Sequence, residues 1–329
     1  MSESTKIGVG VWTFGMGTCR YVGEGYKPYM PFEQRVRAIS AISGVSGIEI
    51  TYPGDVSEES WPAAKALLDD CGLSIIAMGV ELVCDKQWSN GSLSSPDADR
   101  RKISINLVKD AMRFAKSIGV KTVNLWLGQD GFDYVFQLDY AQAYANLVNS
   151  LRECAKSEPG VNLAIEYKVS EPKMSCLMKN AGIALACACD TGCENVGVTL
   201  DVGHALNAGE NPAEAASILL HKNRLFHVHL NDNYRIADDD LPVGSVHWPQ
   251  YFEFFYWMDK LGYDGWYSLD LYPYRDDPTA ACETSVQFIR GATGFVKNKL
   301  PADFVAACGQ GGVNALTHLF GAIFGECAK

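Results

Sequence analysis

No run in this chain approaches the roughly 20 apolar residues that span a bilayer. Its first residues, MSESTKIGVGVW, lack a basic segment followed by a long apolar one. A cytoplasmic protein is therefore the expectation, with no membrane partner. Basic charge is also in deficit: the 329 residues carry a formal net charge of −11. That argues against a broad cationic face for nucleic acid and leaves only a local basic groove open. A Gly-rich phosphate turn between an early strand and a helix is missing too. Gly15 and Gly17 follow the first apolar run, but no helical pattern starts until after residue 30. A doubly wound nucleotide-binding sheet would need that turn. No low-complexity linker divides the chain, and 47% apolar with 20% charged residues is ordinary globular composition.

Cysteine, in contrast, is plentiful, with 11 in the chain. The spacing does not form a disulfide framework, and a chain of this length does not need one, so free thiols in a reducing compartment are expected. Cys176, Cys187, Cys189 and Cys193 form the one cluster. A soft-metal site there is conceivable, but Cys187 and Cys189 fall in an Ala-rich helical stretch, where small thiols pack like alanine. Packing is the expectation.

The punctuation repeats strand, then helix. Short apolar runs at 6–12, 47–51, 73–80, 120–127, 161–167, 196–201, 224–230 and 265–271 read as strands buried on both faces. Helical patterns lie between and after them, at about 31–43, 57–71, 98–118, 139–156, 173–188, 211–221, 247–262 and 278–297. Several stop at glycine, as after Cys71, Ile118 and Leu261. Eight such units predict an α/β fold, a closed (β/α)₈ TIM barrel forming one catalytic domain over residues 1–297. Residues 298–329 form a C-terminal extension that could dock on the barrel or on another subunit.

The carboxyl ends of barrel strands converge on one face, where active sites lie. Four runs end on chemistry: LAIE on Glu166, VGVTLD on Asp201, LFHVH on His229 and WYSLD on Asp270. Three carboxylates and an imidazole gathered there would repel one another unless they shared a cation. Hard oxygen ligands with one imidazole suit Mn²⁺ first, with Mg²⁺, Co²⁺ or Zn²⁺ as alternatives. His227 lies on the same side of its strand as His229, one layer deeper. Asp201 could equally cap the next helix, with His204 as a surface residue. The acidic loop holding Asp238 and Asp240 reads either as a solvated run or, with His204, as a second cation or substrate site. Lys168 either pairs with Glu166 or Glu171, or polarises a substrate carbonyl. Glu49, ending GIEI, could hold a sugar hydroxyl or position a histidine. Trp12, Phe14, Trp88, Trp126 and Trp248 lie near strand ends or adjoining loops. Trp12 and Trp126, with Glu49, are the candidate substrate contacts.

At these residues the chain resembles the xylose-isomerase-like barrel superfamily of sugar isomerases and epimerases, over roughly residues 6–290. Glu166-Tyr-Lys168-Val-Ser-Glu171-Pro172 is similar to its E-x-K-x-x-E-P segment, and Asp201-x-x-His204 to its D-x-x-H step. The resemblance implies Glu166, Asp201, His229 and Asp270 as metal ligands, with Lys168 assisting at the carbonyl. The stretch from His229 through Asp240 to Ser245 is similar to the bacterial L-rhamnose isomerase pattern. Asp270 stands where two-base epimerases carry glutamate, a departure from their mechanism. The stretches Val9–Gly15, Arg20–Tyr26 and Gly265–Asp270 look closer to the large subunits of bacterial C-glycoside deglycosidases, which work with a small β-sandwich partner. That branch implies cleavage of the carbon–carbon bond of a 3-oxo-C-glycoside; aldose–ketose isomerisation or ketose 3-epimerisation is the alternative. All of these remove a proton next to a carbonyl and stabilise an enediolate. Glu166, Lys168, His204 and His247 are the candidate catalytic residues, with His204 or His247 as acid/base. Apurinic endonucleases share the barrel, but six histidines and a charge of −11 argue against that chemistry. A homo-oligomer is a further expectation.

Overall fold

A computed structural model describes residues 5–171, 174–301, 303–309 and 311–325. Eight parallel strands close into a barrel in sequential order. They are β1 (Ile7–Gly10), β2 (Gly47–Tyr52), β3 (Ser74–Val80), β4 (Thr122–Trp126), β5 (Asn162–Glu166), β6 (Val196–Asp201), β7 (Leu225–Leu230) and β8 (Tyr267–Leu269). Their apolar residues fill the layer between barrel and helices: Ile7, Val9, Ile48, Ile50, Leu163, Ile165, Val198 and Leu200 are all fully buried. β-branched and leucine side chains fit that pleated, twice-covered surface.

The surrounding helices are α1 (Phe32–Ser40), α2 (Trp61–Cys71), α3 (Ala98–Ile118), α4 (Tyr140–Ser157), α5 (Ala181–Asp190), α6 (Val202–Asn207), α7 (Pro212–His221), α8 (Trp248–Lys260) and α9 (Pro278–Lys299). Six begin at a capping Asx residue whose side chain accepts from first-turn amides: Asp97, Asp139, Asn180, Asp201, Asn211 and Asp277. Helix α3 stops where Gly119 turns left-handed at φ 82°, which costs glycine nothing. No helix among the described residues is long and apolar enough to cross a membrane.

Three local expectations change. The first strand ends at Gly10, and Val11–Phe14 winds into a 3₁₀ turn. The second helix starts at Trp61, not at residue 57. The helix expected from residue 173 starts at Ala181, because Ser170–Glu171 and Met174–Cys176 pair as an antiparallel hairpin extended by Gly131–Phe132. Pro172 of the sequence motif lies outside the described residues. Phe14 and Trp88 are core residues. Beyond α9, α10 (Phe304–Ala307) and α11 (Gly312–Phe324) follow. Helix α11 rests Phe320 and Phe324 on Trp248, at ring separations of 5.8 and 5.9 Å, so Trp248 is committed to packing. Cys176, Cys187 and Cys193 are buried free thiols, Cys189 is exposed, and no ligand group among the described residues includes them.

The mouth of the barrel is held by one buried acid. Asp130, 1% exposed, accepts from the backbone amides of Ser92 at 3.0 Å and Ser94 at 2.8 Å, and from both hydroxyls. It clamps the loop after β3 to the loop after β4. Asp130→Ala leaves those buried amides unpaired, at a cost on the order of 3 kcal/mol. A drop in the urea midpoint should report it; an unchanged midpoint would mean water replaces the clamp.

Candidate metal centre

Glu166 ends β5, Asp201 ends β6, His229 lies in β7 and Asp270 follows β8 directly. Strand pairing sets Asp201 beside His229 and His229 beside Ser268. One ligand atom from each of Glu166, Asp201, His229 and Asp270 lies within 4.8 Å of all the others. The first three are buried, and Asp270 keeps 19% of its side chain open. His229 Nδ1 is the focus, 3.2 Å from Asp270 Oδ2, 3.5 Å from Glu166 Oε1 and 3.8 Å from Asp201 Oδ2. That buried nitrogen has no hydrogen-bond partner. Buried groups of this kind are normally paired, so an orphaned imidazole nitrogen facing three carboxylates fits a divalent cation.

Each ligand is oriented from behind. Asn124 donates to Glu166 Oε2 at 2.7 Å, and Thr199 donates to Asn124 Oδ1 at 2.7 Å. Asp201 Oδ2 accepts from Asn231 at 2.8 Å while its Oδ1 caps α6 at the amide of His204, 2.8 Å away. The cap and the ligand are thus one residue using two oxygens. Trp12 Nε1 donates to Asp270 Oδ1 at 2.6 Å, so this indole fixes a ligand. Gly203 lets α6 start here: an added Cβ would sit 1.8 Å from Asn231 Oδ1.

Glu49 is wholly buried beneath this layer, so it is not placed to touch a substrate. Its Oε2 accepts from His229 Nε2 and His227 Nε2, each at 2.9 Å, and from Ser268 at 3.0 Å. Burial pushes its pKa up, but the imidazoles of His229 and His227 hold it below the usual carboxylate range. A proton kept on His229 Nε2 leaves Nδ1 free as a ligand, the usual arrangement for a metal-binding histidine. Glu49→Gln keeps the shape and removes the charge. It should weaken divalent-cation binding about 10- to 100-fold by calorimetry; unchanged affinity would reduce Glu49 to packing.

Lys168 stands beside the ligands with 7% of its side chain exposed, 2.7 Å from Asp238 and bonded to Glu171. Burial lowers its pKa, but Asp238 and Glu171 raise it more, so it stays protonated. Its Nζ lies 5.1 Å from the Trp126 ring centre, and the Trp126 indole N–H is buried without a partner. His204 spans Asp238, 3.2 Å from Nε2, and Glu166, 3.4 Å from Nδ1. Burial opposes its charge, but Asp201 and Asp238 raise it to about 10. Burial and the acids around it push Asp201 to about 7. His204, Asp238 and Asp240 do not gather into a three-ligand group among the described residues; Asp238 is shared between His204 and Lys168. His247 instead donates from Nδ1 to Asp232 at 2.8 Å and accepts from Arg235 at 3.1 Å, which makes it a clasp of the loop after β7.

Sequence reasoning passed over Asn124, Thr199, Asn231 and Ser268. The signal was present: Thr199 and Ser268 each lie two residues before a strand-end ligand. Period two puts such polar residues one layer below it.

Residues 36–292 match the family described as xylose isomerase-like TIM barrel. A xylose isomerase from Thermus thermophilus is 25% identical over 229 residues, 65% of this chain and 57% of that protein. The chain therefore spans under six-tenths of that relative's length. The fold is shared with an L-ribulose 3-epimerase structure at 18% identity and TM-score 0.72, covering 93% of this chain and 100% of the other. It is also shared with the IolI protein, solved with a bound zinc atom, at 17% identity and TM-score 0.65, covering 88% and 98%.

Proposed function

The chain belongs to the xylose isomerase-like TIM barrel family, and on that premise we propose a divalent-metal-dependent sugar isomerase or epimerase. The reaction moves a proton next to a carbonyl: aldose–ketose isomerisation or ketose 3-epimerisation of a free sugar. One observation carries this reading. Glu166, Asp201, His229 and Asp270 meet within 4.8 Å, with Lys168 alongside, paired to Asp238 and Glu171. The carboxylate-rich set favours Mn²⁺ or another hard divalent ion. When bound, such an ion supplies Lewis-acid stabilisation of negative charge on substrate oxygens.

The protein's own groups do the rest. Lys168 directs an N–H at the carbonyl oxygen, held in place by Asp238 and Glu171. Glu166 and His204, 3.4 Å apart, form the pair through which a proton leaves and returns. Trp126 offers its free indole N–H to a sugar hydroxyl and its ring to the sugar face.

Carbon–carbon cleavage of a 3-oxo-C-glycoside would begin with the same proton removal. The relatives described above include an isomerase and an epimerase, and neither they nor the site geometry add support for the lyase or its small subunit. Liquid chromatography of Mn²⁺-loaded protein with a panel of aldoses and ketoses, and separately a 3-oxo-C-glucoside, tests the choice. Interconversion that stops with chelator is the expected result. Aglycone release, or no interconversion by protein with bound metal, overturns it.

A further inference from the structure

The loop after β7 makes an excursion hinged at its base. Asp232 and Leu241 exchange backbone hydrogen bonds at 2.8 and 2.9 Å, so residues 233–240 leave and return at one point. Asp232 is fully buried, and its Oδ2 accepts from the amides of Val246 and His247, each at 2.8 Å. Tyr234, Arg235, Ile236 and Ala237 form an exposed tip. Directly after the tip, Asp238 reaches back into the barrel mouth, 2.7 Å from Lys168 and 3.2 Å from His204.

Arg235 holds the tip down. Its Nε donates to His247 Nε2 at 3.1 Å, and its amide to Asn233 Oδ1 at 2.9 Å. Its backbone sits at φ 62° and that of Asp240 at φ 48°, a left-handed conformation that is costly for residues with a Cβ. Side-chain bonds thus hold the excursion against its backbone preference.

A guanidinium can only donate, so His247 Nε2 is an acceptor. The ring proton is then on Nδ1, 2.8 Å from Asp232 Oδ1. Both nitrogens are committed, and this pairing requires a neutral imidazole. A second proton would turn Nε2 into a donor facing a cation. Asp232 would keep its bond; the exposed Arg235 would lose its acceptor and move to water. Solvent reaches the ring, since 13% of the His247 side chain is open. Asp232 and Arg235 are the charged groups bonded to it. The helices around it add little charge: α11, which packs on Trp248, carries His318 as its one titratable group. Helix α9 meets this loop through Ser285 and Phe288, and Glu253 of α8 bonds to Asn211.

We propose that Arg235 and His247 form a proton-operated latch, closed while the imidazole is neutral and released in acid, which controls whether Asp238 stays on Lys168 and His204. Imidazoles ordinarily titrate between about pH 5 and 8. At the far end of the excursion, burial opposes charge on Lys168, His204 and Asp238. The opposite charges around them outweigh it, raising both bases, His204 to about 10, and lowering the acid. Burial and neighbouring acids push Asp201 and Asp240 up, so these two are the site groups whose titration a control must subtract.

Hydrogen–deuterium exchange of amides 234–240 in the full chain, at pH 8 and 5.5 and corrected for intrinsic rates, tests the latch. Wild-type exchange should rise about tenfold in acid, the worth of one hydrogen bond to a charged group. His247→Gln still offers Arg235 an acceptor but takes no proton, and it leaves Asp201 and Asp240 in place. Its exchange should not respond to pH. Arg235→Ala should exchange fast at both pH values, with protection in β7 and α8 retained as the control for folding. A wild type without the acid response, or a response that persists undiminished in both variants, overturns the proposal.

Discussion

Replacing His229 with alanine should abolish specific divalent-cation binding while the barrel still folds. The imidazole is the one nitrogen donor in the group, and its Nδ1 is the point on which Glu166, Asp201 and Asp270 converge. Without it, three carboxylates remain with no nitrogen ligand, and Glu49 loses one of its three donors. Since disturbing only the residues behind a ligand costs about 10- to 100-fold in affinity, removing the ligand should exceed 100-fold. His227→Ala is the matched control. It sits one layer deeper on the same side of β7 and shares Glu49, but it does not belong to the group formed by Glu166, Asp201, His229 and Asp270. Its loss should stay near tenfold. Calorimetric titration with Mn²⁺, with circular dichroism to check the fold, separates the two. Wild-type affinity in His229→Ala would remove this group as the metal centre.

The contrast between these histidines shows how far sequence reasoning reaches. A parallel barrel puts every strand's carboxyl end on one face, so runs ending in Glu166, Asp201, His229 and Asp270 define a site before any coordinates exist. Period two also orders His229 above His227. The partner of both, Glu49, lies 178 and 180 residues away. GIEI marks it as a strand-end acid, but closure of the barrel decides that it points beneath the ligands. Trp12 shows the same limit: its indole reaches Asp270 across 258 residues, from within a 3₁₀ turn that an apolar run does not announce. His247 was ambiguous for another reason. An imidazole beside an acidic loop suits catalysis or a clasp, and its pairing with Asp232 and Arg235 shows the clasp without bearing on catalysis. The pairing of Ser170–Glu171 with Met174–Cys176 was hidden because the second of these short strands finds its other partner in Gly131–Phe132, on a different loop.

Lys168→Met should leave the cation in place and remove most of the turnover. The ammonium is not among the four ligands; it lies beyond Glu166, fixed by Asp238 at 2.7 Å and by Glu171. Methionine keeps the apolar stem and the packing against Trp126 but can donate nothing to a carbonyl oxygen. Loss of one donor aimed at developing oxyanion charge costs about 100- to 1,000-fold in kcat, and that is the expected fall. Stability should drop as well, because Asp238 then keeps His204 as its one cationic partner among the contacts described. Breaking a fully buried pair costs about 3–5 kcal/mol. Here 15% of the Asp238 side chain and 26% of Glu171 reach solvent, so the loss should fall below that range. Lys168→Arg retains the charge on a wider, planar head that does not fit between the same two acids, so it should recover stability before activity. The decisive comparison is kcat against Mn²⁺ affinity across the three proteins. If Lys168→Met loses metal in proportion to activity, Lys168 supports the ligands and does not act on the substrate. If it turns over at the wild-type rate, the carbonyl is polarised without it.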